Sequence, residues 1–346
     1  MTNQPSQINS LLPPEMLHQV FWQLPPRELK NVVLVCRLWR EVGEEPVLWA
    51  GVIPRVTREN MSTMPERLGS KRMRAVRELR VKLGVEVSEE VLEAVARHRR
   101  LRVVEMGCAK LSSVDPSLLA SAVSRLEEVG MDRTELTVLQ VEAIMTAIHG
   151  RDCPVKKLDI SYNNLSTVDP RLLANTVKSL EEVGMVMAKL TFQQVEEIMS
   201  AIGAGDCFVK KMYISLNNLS SVDPRLLAIA VTRVEEVVVL MTELTARQVE
   251  AIMATLDAGG GLVKRLNISF NNLSTVDPAL LARVVNRLEE VKMNKTELTV
   301  LQMETILTQS LLKTSLRKLE MFYHLDDSRI DEMLVARARL VIKQLY

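Results

Sequence analysis

Hydrophobic positions along most of this chain follow two alternating schedules. Short runs such as Val155, Leu158, Ile160 and Leu165 suit a strand with one buried face, interrupted by the polar Asn163. Longer runs such as Val195, Ile198, Met199 and Ile202 have the spacing of a helix that buries one stripe. From Val76 onward the two schedules alternate, so the pattern predicts strand, turn, helix and return many times over. The arrangement is also written repeatedly. The fragment Lys157-Leu158-Asp159-Ile160-Ser161-Tyr162-Asn163-Asn164-Leu165-Ser166-Thr167-Val168-Asp169-Pro170 returns 54 positions later as Lys211 to Pro224, and again as Arg265 to Pro278. A worn copy ending at Leu111 to Pro116 precedes them.

Each 54-residue unit divides into two. The pattern L-x-x-L-x-L-x-x-N-x-L fits Val155, Leu158, Ile160, Asn163 and Leu165, and again Leu180, Val183, Met185, Ala188 and Leu190. That is the leucine-rich-repeat signature. Its fourth positions are Leu79, Val104, Val129, Leu158, Val183, Met212, Val237, Leu266, Val291 and Leu319, which predicts about ten short parallel strands. Helix starts are written between them. Asp115, Asp169, Asp223 and Asp277 each precede a proline, as an N-cap precedes the first helical position. Thr137–Gln140, Thr191–Gln194, Thr245–Gln248 and Thr299–Gln302 read as capping boxes. The expected fold is an α/β solenoid, a ribonuclease-inhibitor-like horseshoe with strands on the concave face and helices outside, spanning residues 76–346. Ile330 to Tyr346 reads as its C-terminal cap. Asn163, Asn217 and Asn271 are expected to satisfy backbone groups inside the turns.

Charges just before the strands alternate in sign. One row runs Arg102, Glu127, Lys156, Glu181, Lys210, Glu235, Lys264, Glu289 and Arg317; the next runs Glu128, Lys157, Glu182, Lys211, Glu236, Arg265, Glu290 and Lys318. Adjacent strands lie about 4.8 Å apart, so each charge should meet its opposite and fix the register. Fifth and seventh strand positions should face the concave side. Most are small or polar, but Val186, Tyr213, Val238 and Leu240 would form an apolar patch there, a candidate contact for a protein substrate.

The first fifty residues differ in kind. They contain Leu12-Pro13-Pro14-Glu15-Met16-Leu17-His18-Gln19-Val20-Phe21, then Leu24-Pro25, then Val35-Cys36-Arg37-Leu38-Trp39, and finally Pro46-Val47-Leu48-Trp49. Prolines punctuate short helices, and Leu17, Val20, Phe21 and Leu24 share one helical face. So short a segment cannot bury that much apolar surface alone and should dock on another protein as well as on itself. Residues 11–50 closely resemble an F-box, whose pattern is L-P-x-E-[ILM]-L-x-x-[IV]-F, L-P, V-C-[RK]-x-W and P-x-L-W; only Pro26 after Pro25 is mildly atypical. The resemblance implies an all-α module that binds a Skp-family adaptor and, through it, a cullin–RING ubiquitin ligase. By motif position Leu12, Pro13, Leu17, Val20 and Phe21 would contribute to the adaptor-facing surface. Leu34, Val35, Trp39, Leu48 and Trp49 would contribute to that surface or brace it. Residues 51–75 would link the module to the first repeat. F-box proteins with leucine-rich repeats form a class of substrate receptors, which the second half of this chain fits.

Composition narrows the function further. The 346 residues carry 44 basic and 43 acidic side chains, a net charge of +1 with no evident basic block, so neither nucleic acid nor a membrane surface is the expected partner. The N-terminal MTNQPSQINS is polar, no apolar run approaches membrane length, and the four cysteines suit a reducing cytoplasmic or nuclear setting. His18, His98, His149 and His324 have no partners at metal spacing, and no nucleophile or phosphate-loop motif appears. The expectation is a non-catalytic protein without metal or cofactor.

Overall fold

The computed structural model describes residues 12–150, 153–259, 261–310 and 316–321. The N-terminal module consists of α1 (Pro14–Trp22), α2 (Pro26–Val32) and α3 (Arg37–Gly43), closed by a 3-10 turn at Pro46–Trp49. Pro14, Pro26 and Pro46 occupy first positions, where a missing N–H leaves no bond unmade. Leu17, Phe21, Leu29, Val32, Val42, Leu48 and Trp49 form a core of their own, separate from that of the repeats. Trp49 ties it shut by donating its indole N–H to the Gly43 carbonyl at 2.8 Å. Gly43 sits in a tight place there, where a Cβ would meet the Val33 and Val32 methyls at 3.0 and 3.1 Å.

Behind the module, the described residues form one open sheet, all parallel, whose eleven strands lie in chain order. They are β1 (Arg55–Val56), β2 (Glu78–Val81), β3 (Val103–Glu105), β4 (Glu128–Gly130), β5 (Lys157–Asp159), β6 (Glu182–Gly184), β7 (Lys211–Tyr213), β8 (Glu236–Val238), β9 (Arg265–Asn267), β10 (Glu290–Lys292) and β11 (Lys318–Glu320). The count is eleven rather than ten because β1 lies within the expected linker and pairs Arg55 with Arg80. Its repeat signature is erased: the residue in register with Leu79 is Pro54, which cannot donate to a ladder but still accepts from the Arg80 N–H at 3.0 Å.

Helices alternate with the strands. After α4 (Met64–Gly69) and α5 (Glu89–Arg97), the proline-initiated α6 (Pro116–Val123), α8 (Pro170–Ser179), α10 (Pro224–Thr232) and α12 (Pro278–Arg287) alternate with α7 (Val138–His149), α9 (Phe192–Gly203), α11 (Ala246–Asp257) and α13 (Val300–Ser310). Asp115, Asp169, Asp223 and Asp277 each accept backbone N–H groups from the first turn. The threonine–glutamine capping boxes form at all four sites. Ile330 to Tyr346, expected to cap the array, lies outside the described residues.

The repeats are stapled by side-chain amides. Asn217 donates to the Met185 and Ile214 carbonyls at 2.7 and 2.9 Å and accepts from the Ala188 and Leu190 N–H groups at 3.2 Å. Asn271 makes the corresponding bonds one unit on, and Asn163, one unit back, donates to the Met131 and Ile160 carbonyls and accepts from the Leu136 N–H and the Thr134 hydroxyl. The capping glutamines reach as far. Gln194, buried, donates to the Leu165 and Val168 carbonyls of the preceding turn, both at 2.7 Å. A capping box tolerates glutamate at this position, but here the side chain must also donate, which only the amide can do. The charge rows pair as expected: Lys157 with Glu128 at 2.8 Å, Lys211 with Glu182 at 3.2 Å, Arg265 with Glu236 at 2.7 Å, and Lys210 and Lys264 with Glu181 and Glu235 at 2.6 and 2.8 Å. Gln194→Glu leaves two buried carbonyls facing a carboxylate and should cost roughly 3 kcal/mol of unfolding free energy, read from urea denaturation. An unchanged midpoint would show that the amide bonds carry none of the stacking.

Candidate functional site

In the N-terminal module, the sequence-derived residues divide between core and surface. Leu17 and Phe21, expected on the adaptor-facing surface, are buried within the module's own core, and that expectation is corrected. Periodicity marks which helix face is apolar, and here that face packs inward against α3 and the closing turn. Leu48 and Trp49 are buried with them and brace the module. Trp39 is half-buried, edge-on to Phe21 at 5.2 Å, and its indole N–H has no hydrogen-bond partner among the described residues. Leu12 is half-buried. Pro13, Val20, Leu34 and Val35 are exposed; Leu34 keeps 74% and Val35 59% of its accessible surface. Met16, Trp22 and Val47, not singled out from the sequence, add to this apolar exterior.

On the sheet's helix-free face, Val186, Tyr213, Val238 and Leu240 are all half-buried. Tyr213 is in register with Val238, and Val186 and Leu240 follow two residues on from that register, flanking Ser215. Ser215 is buried, donating to the Val238 carbonyl at 3.2 Å and accepting from the Leu240 N–H at 3.0 Å. Tyr213 is also restrained, since its hydroxyl donates to Glu236 at 3.1 Å. Burial, then the Glu236 and Glu182 carboxylates, push its phenol far above the usual tyrosine range. The patch exists, but a polar seam crosses it.

A longer apolar row runs beside that patch, in the turns just after the strands. Tyr162, Met187, Leu216, Met241 and Phe270 hold the same place in five successive half-repeats, spaced 25, 29, 25 and 29 residues apart. Met187 keeps 51% and Met241 53% of its surface; Tyr162 and Phe270 are also exposed and Leu216 is half-buried. All five have φ between 50° and 60°, a left-handed conformation that L-residues other than Asn and Gly adopt at a cost of about 1–2 kcal/mol. The ladder holds them there: Tyr162, Met187, Leu216, Met241 and Phe270 donate to the carbonyls of Val186, Ser215, Leu240, Ser269 and Asn294. Cations close both ends. The Arg133 guanidinium lies 4.0 Å from the Tyr162 ring centre, and the Lys295 ammonium 5.1 Å from that of Phe270. Strand-periodicity reading stopped at the seventh position and missed this ridge, although its 54-residue recurrence is visible in the sequence.

Towards the first strands the open face becomes acidic. Glu105 lies over Gly130, Asp159 over Gly184 and Asp132 over Gly107, each carboxylate filling the space a Cβ would need. Burial raises Glu105 against the pull of Arg80, with Asp159, Glu78 and Asp132 adding to the rise. Burial, then Asp159, raises Asp132 likewise. A carboxyl whose folded value exceeds its unfolded one contributes its full stability below the ordinary carboxylate range and loses it as pH rises through the folded value. Glu105→Gln should therefore melt higher than the parent chain at pH 7, with the advantage gone near about pH 4. Calorimetric melting curves that stay superimposed across this range would remove Glu105 as a source of strain.

Comparison with known proteins agrees with this division. The F-box-like family matches residues 10–54, and the Leucine Rich Repeat family matches residues 155–176. No curated protein matches the chain. Among solved structures, the leucine-rich repeat-containing protein LegL7 from Legionella pneumophila is similar at 14% identity and a TM-score of 0.49, over 76% of this chain and 90% of that one. Both matched families are protein-interaction modules. A small helical unit matches the one and part of the all-parallel array matches the other, so the chain carries an F-box-like module followed by leucine-rich repeats.

Proposed function

We propose that this chain is the substrate-recognition subunit of an SCF-type ubiquitin ligase, working in the cytoplasm or nucleus. Its F-box would bind a Skp-family adaptor and, through it, a cullin–RING ligase. Its repeats would hold a protein substrate. The observation that carries the adaptor half is the pairing of a self-contained helical core with an apolar exterior at Pro13, Val20, Leu34 and Val35. Monomeric surfaces rarely leave such groups clustered unless a partner covers them. For the substrate half, the Met187 to Met241 region of the ridge, continuous with Val186, Tyr213, Val238 and Leu240, offers the most apolar contact. Methionine and tyrosine suit such a surface because flexible thioethers and amphipathic rings adapt to a partner. Ubiquitin transfer would belong to the partner proteins, with this chain supplying effective concentration.

Isothermal titration of the purified chain against a Skp-family adaptor tests the first half. Leu34→Asp/Val35→Asp should weaken binding at least tenfold, about 1.4 kcal/mol, and Leu12→Ala/Pro13→Ala should weaken it too. A parent chain that does not bind at all would favour a repeat scaffold or inhibitor with no ligase association. Proximity labelling tests the second half. Met187→Asp/Met241→Asp should lose labelled substrates while keeping the adaptor; an unchanged substrate set would move recognition elsewhere on the array.

A further inference from the structure

Near the start of the array the balance of charge seen along the repeats gives way to an excess of one sign. Between residues 67 and 102 stand eleven lysines and arginines against five acidic residues. Here α4, the turn at Arg72–Ala75 and the end of α5 enclose an open cleft of about 750 Å³. Arg74, Arg97, Arg99 and Arg100 line it, with Pro65, Leu68 and Ala94 as an apolar floor. Arg97 is engaged by Glu93 at 2.8 Å. Arg74, Arg99 and Arg100 are exposed and have no ion-pair partner among the described residues.

The cleft is held in shape by His98. Its Nε2 lies 2.8 Å from the Met73 carbonyl, and its Nδ1 accepts the Leu101 N–H at 3.1 Å. A carbonyl can only accept and an amide N–H can only donate, so Nε2 carries the proton and the ring contributes no charge of its own. What it does is join the turn bearing Arg74 to the turn bearing Arg99 and Arg100. The two turns that carry these arginines are thus tied together before any ligand arrives, which lowers the ordering cost of binding.

We infer that this cleft is a docking site for an acidic polypeptide segment, whose carboxylates pair with Arg74, Arg99 and Arg100 while an intervening apolar side chain rests on Pro65, Leu68 and Ala94. Guanidinium groups match carboxylates in a two-point geometry that ammonium groups cannot offer, and every cation lining the cleft is arginine. The apolar floor selects a peptide. A single-stranded nucleic acid would call for aromatic rings on which bases stack, and none lines the cleft beyond the fully engaged His98. The site adjoins the N-terminal module, since Arg72 of the same turn lies over the Trp49 ring at 5.7 Å and reaches Glu44 at 3.6 Å. It stands apart from the ridge and does not depend on ligase membership.

Fluorescence anisotropy on the full chain tests this with a labelled heptapeptide of alternating glutamate and leucine. The same peptide with glutamine for glutamate, and a labelled oligothymidine, serve as comparisons. The acidic peptide should bind at least tenfold more tightly than either, and weaken as salt rises. Arg99→Gln/Arg100→Gln should cost at least tenfold, while Arg247→Gln, on the exposed surface of α11, should cost nothing; melting temperatures report that all variants fold. Equal binding of the glutamine peptide, tighter binding of the oligothymidine, affinity that survives in the double variant, or no binding by the parent chain would each overturn the inference.

Discussion

A parallel array with short strands leaves a backbone problem at every turn, and its solution organises this protein. Amides and carbonyls in the turn have no strand neighbour to take them, yet they are buried between repeats where water cannot. Asn163, Asn217 and Asn271 meet this need on the strand side, and Gln140, Gln194, Gln248 and Gln302 on the helix side. Each amide both donates and accepts, and each bonds across to a neighbouring half-repeat. The side chains that cap a helix therefore also fix the distance to the next unit.

Once spacing and register are fixed, the surface follows as rows rather than as scattered residues. The same registration that sets Lys157 against Glu128 and Glu182 also sets Tyr162 beside Met187 and Met187 beside Leu216. The first row is electrically balanced and presents little field. The second is apolar and is held in a backbone conformation that its side chains do not prefer. A scaffold that aligns equivalent positions turns small sequence choices into extended strips, which is what a protein-binding array requires.

Much of this was legible in the sequence, because the features concerned are local. Proline after aspartate, glutamine three residues after threonine, and sign alternation at fixed spacing each have a short-range physical cause, and the structure realises them. What escaped was set by three-dimensional context. Strand β1 was hidden because Pro54 replaces the aliphatic residue that marks its equivalents. Leu17 and Phe21 could not be told from partner-facing residues, since an apolar stripe looks the same whether its own module or another protein covers it. The arginine cleft vanished into a whole-chain charge of +1, which averages a local excess against acidic strands elsewhere.

The alternation of charge also limits how the array can change in length. Removing 54 residues joins a basic strand entry to an acidic one, as before, and preserves every pairing. Removing 25 or 29 would bring like signs together at the junction. Growth and loss are therefore quantised: duplication or deletion can lengthen or shorten the shelf smoothly only two strands at a time, a ratchet built into its electrostatics.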